Sequence, residues 1–122
     1  TTRGSGRWII PKGWPMPGRT PAEAALIEAW EEAGVQGKGY DQCLGVFSYH
    51  KLFTRTDGAP CLALVYPIKV KALAQNFPEK GQRKRKWMGL DKAATKVDEP
   101  ELAQILRQFN PKLLPKPLRA KR

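Results

Sequence analysis

The chain has 122 residues, which one domain accommodates, and 41% of them are hydrophobic, enough to bury a core. Its 22 Lys and Arg against 11 Asp and Glu leave a net charge of +11, which suits polyanionic partners or serves solubility alone. No apolar run reaches the ~18 residues of a membrane span, no charged-then-apolar leader opens the chain, and two cysteines (Cys43 and Cys61) are too few for a disulfide scaffold, so membrane, collagenous and disulfide-rich classes are excluded and a soluble, cytoplasmic domain is expected.

Thr1 to Gly6 reads as a turn, and Trp8-Ile9-Ile10 as the end of a strand stopped by Pro11. Lys12 to Arg19 holds Gly13, Pro15, Pro17 and Gly18 and is a loop. Thr20, Pro21 and Glu23 then spell a helix start, with a cap, a proline at the first helical position and a capping box. Gly34 supplies the stop. Gln42 to Phe53 and Cys61 to Val70 are β-rich and flank the turn signal Thr56-Asp57-Gly58, which predicts a hairpin. Pro67 predicts an interruption or an edge in the second of these strands. Trp87-Met88, after the basic run Gln82 to Lys86, is expected to form a short strand. Asp98 and Glu101 are expected to open a last helix, on which Leu102, Ile105, Leu106 and Phe109 recur at helical spacing. The domain is expected to span 1–109, and the basic, proline-rich tail 110–122 to be extended or disordered.

Four acids, Glu23, Glu28, Glu31 and Glu32, fall within one short stretch of a cationic chain. On a helix of 3.6 residues per turn, Glu31 and Glu32 flank Glu28 at about −60° and +40°, so the three share one arc. Like charges at this spacing repel, and two of them occupy the last turn, where the helix dipole disfavours anions. Nothing local offsets this, whereas a divalent cation would convert the repulsion into shared ligation. Oxygen-only donors suit Mg²⁺ or Mn²⁺. A solvated acidic face is the alternative for the motif taken alone.

Gly13 followed by Glu28-Ala29-Trp30-Glu31-Glu32-Ala33-Gly34-Val35 resembles the box of the Nudix hydrolase family, G-x5-E-x7-R-E-U-x-E-E-x-G-U with U aliphatic. Arg19 and Ile27 depart from it, standing where the family has its first glutamate and its arginine. Those two family residues commonly pair, so their joint replacement removes an ion pair without orphaning a charge. Arg7-Trp8-Ile9-Ile10-Pro11, Leu44-Gly45-Val46-Phe47 and Gln82-Arg83-Lys84-Arg85-Lys86-Trp87 are similar to segments of the diphosphoinositol polyphosphate and diadenosine polyphosphate hydrolases.

The resemblance implies an α+β fold, an α/β/α sandwich around a mixed sheet whose first strand would precede Thr1. It implies a divalent-metal-dependent hydrolase of phosphoanhydride bonds, with Mg²⁺ or Mn²⁺ on Glu28, Glu31, Glu32 and the Lys12 carbonyl. Glu32, with Glu31 second, is expected to accept the proton of the attacking water. A substrate with many phosphates calls for many cations, and arginine meets phosphate through two parallel hydrogen bonds. Arg3, Lys12 and Arg83, then Arg7 and Arg85, are the expected substrate contacts beside the Gly13 backbone. Trp14 and Tyr49 are candidate stacking surfaces, and His50 is read as an ordinary strand histidine. The expected partner is a polyphosphorylated small molecule, bound by a monomer or homodimer. Two alternatives are a Nudix hydrolase of nucleotides or 5′-triphosphorylated RNA, and a catalytically silent nucleic-acid-binding module, against which the carboxylate cluster argues.

Overall fold

A computed structural model describes residues 1–52, 54, 56–115 and 117. Its best-signposted element is helix α1, Pro21–Ala33. The Thr20 hydroxyl accepts from the Glu23 amide at 3.2 Å and the Glu23 carboxylate accepts from the Thr20 amide at 2.9 Å, so the expected box is fully formed. Gly34 ends the helix at φ 68°, a left-handed conformation that glycine adopts without a Cβ clash.

Two antiparallel ribbons follow. Strand β1, Val35–Gly39, pairs with β4, Ile68–Leu73; strand β2, Gly45–Leu52, pairs with β3, Gly58–Val65. The expected hairpin is β2–β3, in register from Gly45 opposite Val65 to Leu52 opposite Gly58. The Thr54 hydroxyl accepts from the amides of Thr56 and Asp57 and so builds its turn. Phe53, expected in the first strand, lies outside the described residues. Pro67 does interrupt the second β-rich stretch, splitting it into β3 and β4. β1 went unread because Val-Gln-Gly-Lys-Gly carries two glycines and no apolar alternation. Its place is set by β4, whose Lys69 carbonyl lies where a Cβ on Gly37 would sit.

Trp87-Met88 is not a strand; 84–89 has no regular structure and leads into helix α2, Leu90–Lys96. Helix α3, Pro100–Gln108, begins after Glu99 rather than Asp98, and neither expected capping carboxylate caps it. Both face tertiary partners: Asp98 lies 3.9 Å from the Arg7 guanidinium, whose nearer partner is Glu99 at 2.9 Å, and Glu101 accepts from the amide and hydroxyl of Ser48 at 3.1 and 2.7 Å. Pro100, which fits the first helical position, marks the start instead. Asn110 caps a 3-10 turn over Pro111–Leu113, so the head of the expected extended tail is ordered, while Lys116 and Leu118 onward lie outside the described residues.

The core is Phe47 of β2, Val65 of β3 and Leu102 of α3, with Ile9, Ile10, Val97, Ile105 and Leu106 packed around it. The α3 stripe thus reaches the core as its spacing predicts, with Phe109 just past the helix end. The fold is α+β. Its strand pairs are antiparallel, and an isolated bridge between Trp8 and Val97 adds a parallel pairing.

Candidate active site

The loop after Pro11 and the buried face of α1 meet at two points. The Lys12 amide donates to Glu32 Oε2 at 3.1 Å. Gly13 lies against the Glu28 carboxylate, in space that a Cβ would fill. Between the loop, the helix and strand β2 opens a cleft of about 400 Å³, walled by Arg3, Lys12, Trp14, Glu28, Glu32, Lys51, Glu79 and Arg83.

Glu32 is 6% exposed and Glu28 half-buried. Their carboxyl groups are near enough to hydrogen-bond whenever one of them carries a proton. Burial pushes the Glu32 carboxyl up to about 7; the Arg83 guanidinium opposes the rise, and the charges of Glu28 and Glu79 add to it. Burial also raises Glu28, with the charge of Glu31 contributing. Glu31 stands to one side: its carbonyl accepts from the Glu79 amide at 2.9 Å, and its side chain is half-exposed outside the cleft lining. Among the described residues no three His, Cys, Asp or Glu side chains converge closely enough to enclose a metal ion. The structure therefore brings Glu28 and Glu32 together and leaves Glu31 apart.

The basic residues divide. Lys12 sets its ammonium 4.2 Å from the Tyr49 ring centre, and burial lowers its pKa, with Lys51 lowering it further. Lys51 stands 5.8 Å from the ring centre of Trp14, which is 53% exposed at the cleft mouth. Arg83 joins Glu32 to Glu79, and Arg3 approaches Glu79 at 3.7 Å. Arg85 is turned elsewhere: it donates to the Ala33 carbonyl at 2.6 Å and lies 4.8 Å from the Phe77 ring centre. Arg7 pairs with the buried Glu99 and is absent from the cleft wall. His50 is exposed on β2.

The acidic last turn of α1 is met by cations from outside the helix. The helix has no basic residue there, yet Arg83 and Arg85 reach it from the segment after Glu79, one on the Glu32 carboxylate and one on a terminal carbonyl. The repulsion seen in the sequence is offset by side chains about fifty positions away. Glu79 was missed for the same reason: the visible signal is its spacing of four from Arg83, while its approach to Glu32 is made by the fold. Of the two departures, Arg19 is exposed and its amide closes a turn on Met16, while Ile27 is half-buried.

A hard divalent cation fits the Glu28–Glu32 pair. Two neighbouring carboxyls at the floor of a cleft offer oxygen donors, and a cation between them relieves their mutual repulsion.

A NUDIX domain family model matches residues 1–109. The chain belongs to the Nudix domain family. Among proteins similar to this Nudix domain, Nudix hydrolase 13, mitochondrial, of Arabidopsis thaliana is 31% identical over 83% of this chain and 52% of its own length. Nudix hydrolase 16, mitochondrial, of the same plant is 33% identical over 80% of this chain and 56% of its own. Diphosphoinositol polyphosphate phosphohydrolase 3-alpha of Homo sapiens is 34% identical over 71% of this chain and 50% of its own. The chain thus spans about half the length of these curated relatives. No helix among the described residues is long and apolar enough to cross a membrane.

Proposed function

We propose that this Nudix domain hydrolyses a phosphoanhydride bond in a polyphosphorylated small molecule, a diphosphoinositol polyphosphate or a dinucleoside polyphosphate, with Mg²⁺ or Mn²⁺. The observation that carries the reading is the Glu28–Glu32 pair, pressed against Gly13 beneath a cleft whose walls bear Arg3, Lys12, Lys51 and Arg83. Glu28 and Glu32 would hold the cation, with Glu31 and the Lys12 carbonyl as the further donors that the family box implies. The bound cation would supply charge neutralisation at the phosphates undergoing attack.

The residues of the chain do the rest. Glu32 takes the proton from the attacking water as general base. The water oxygen forms the new P–O bond, the bridging P–O bond breaks, and the leaving phosphate departs with the bridging oxygen. Lys12, whose pKa burial lowers, Arg3 and Lys51 hold the flanking phosphates. The Lys12 amide fixes the orientation of Glu32. The working compartment is the cytoplasm, where Cys43 and Cys61 stay reduced.

A second reading, hydrolysis of nucleotides or 5′-triphosphorylated RNA, draws on one observation: the exposed Trp14 indole at the cleft mouth offers a face on which a base would stack. The test is a panel of diphosphoinositol polyphosphates, dinucleoside polyphosphates, nucleoside triphosphates and triphosphorylated RNA, assayed with Mg²⁺ on the parent and on Glu32→Gln. Turnover of the first two classes, lost in the variant and on chelation, is the expected result. Faster turnover of triphosphates favours the second reading. Equal rates for variant and parent overturn the role of Glu32, and no turnover of any anhydride overturns the proposal.

A further inference from the structure

The tip of one guanidinium occupies the carboxylate that the cation would need. Arg83, 15% exposed, holds Nη1 3.1 Å from Glu32 Oε1, and Nη1 also donates to the Thr1 carbonyl at 3.3 Å. The opposite edge of the same group is fastened elsewhere: Nε and Nη2 lie 3.1 and 3.0 Å from Glu79 Oε1. Arginine presents five N–H donors in a rigid fork, so one edge can stay anchored while the tip changes partner. The second oxygen of Glu32 is engaged by the Lys12 amide. While Nη1 sits on Oε1, that oxygen is not free for a cation, and two positive charges at one carboxylate repel each other.

We propose that Arg83 is a displaceable internal counter-ion for the metal site. It neutralises Glu32 in the cation-free domain, yields Oε1 when a divalent cation arrives, and then turns Nη1 to a substrate phosphate while Glu79 keeps the far edge tethered. The proposal rests on the reading of the cleft as a cation-dependent phosphoanhydride hydrolase. It gives Arg83 two successive partners and makes Glu79 a positioning residue, the pivot of the exchange. Cation and polyphosphate then reinforce each other: the cation frees the guanidinium for phosphate, phosphate draws the guanidinium off Glu32, and the coupling is equal in both directions.

The test is calorimetric titration with Mn²⁺ alone, without substrate, on the parent, Arg83→Gln, Arg83→Lys and Arg3→Gln. Arg3 lies 3.7 Å from Glu79, so its variant removes a positive charge from the same cleft without touching Glu32. Arg83→Gln is expected to bind Mn²⁺ roughly tenfold more tightly than the parent, the change that one charge-assisted hydrogen bond is worth. Arg83→Lys, which keeps the charge but loses the fork, is expected to fold as the parent does and to fall between. Arg3→Gln should shift the affinity less than twofold. Unchanged or weaker binding by both Arg83 variants, with the parent binding normally, overturns the counter-ion role and leaves the proposed function standing. Tightening by Arg3→Gln equal to that by Arg83→Gln overturns it as well, since general charge would then explain both. No Mn²⁺ heat from any of the four proteins overturns the metal-dependent function itself, and this proposal with it.

Discussion

Gly13 and the Glu28 carboxylate pack so closely that a single added methyl would overlap the acid. The loop backbone therefore serves as the wall against which the first of the paired carboxylates rests. Gly13→Ala is expected to push either the loop or Glu28 aside. The cost should be about 1–3 kcal/mol of stability, the usual range for overpacking, and displacement of a catalytic group by about 1 Å can cost 10²-fold in rate. Thermal unfolding and kcat on the preferred anhydride check both effects.

The Glu28–Glu32 pair makes the cation-free domain pH-sensitive. Glu32 binds its proton more tightly folded, at about 7, than at the ordinary 4.5, so its contribution is full below about 4.5 and is lost as pH rises through 7. The Tm of the chelated protein should therefore fall between pH 5 and 8, and Glu32→Gln should flatten that slope. Adding Mg²⁺ or Mn²⁺ at pH 8 should restore the lost stability, since a ligand of the folded state stabilises it. Calorimetric scans across the pH range, with and without cation, read this directly.

Arg85 was expected among the substrate contacts, but its guanidinium closes the end of α1 on the Ala33 carbonyl and lies over Phe77. Arg85→Ala should cost about 1–2 kcal/mol through the lost hydrogen bond and cation–π contact. KM should stay within about twofold of the parent, a change worth less than 0.5 kcal/mol. A large rise in KM with unchanged Tm would return Arg85 to the substrate.

Arg7 pairs with Glu99, which is 7% exposed, and thereby ties the strand-like segment before the loop to the start of α3. Arg7→Ala leaves that carboxylate buried without its partner and should cost about 2–3 kcal/mol. Arg7→Ala combined with Glu99→Gln should be less damaging than the sum of the two single changes, because the stranded charge is gone. Denaturant unfolding of the three variants measures this coupling.

How much was legible depended on how local its cause was. Helix α1 was readable end to end because Thr20, Pro21, Glu23 and Gly34 act on their own neighbours. The split at Pro67 was readable from the missing amide of proline. The start of α3 lies past Asp98 because Asp98 and Glu101, plausible caps in the sequence, face Arg7 and Ser48 across the fold. Strand β1 and the approach of Glu79, Arg83 and Arg85 to the end of α1 depend on partners roughly thirty to fifty positions along the chain, beyond any local pattern. The box glutamates were visible as one helical stripe, yet the structure separates them: Glu32 turns inward to Glu28, and Glu31 faces outward.

The cleft draws its walls from the loop at Lys12 and Gly13, the end of α1, and the stretch from Glu79 to Arg83. The stretch through Arg83 must therefore leave the ribosome before the acidic stripe meets its guanidinium. A nascent chain halted short of Glu79 would expose two unneutralised carboxylates, Glu31 and Glu32, at a helix end that repels them, and that helix should fray until the later segment arrives. Acquisition of ligand-binding capacity during synthesis thus waits on the emergence of the Glu79-to-Arg83 stretch.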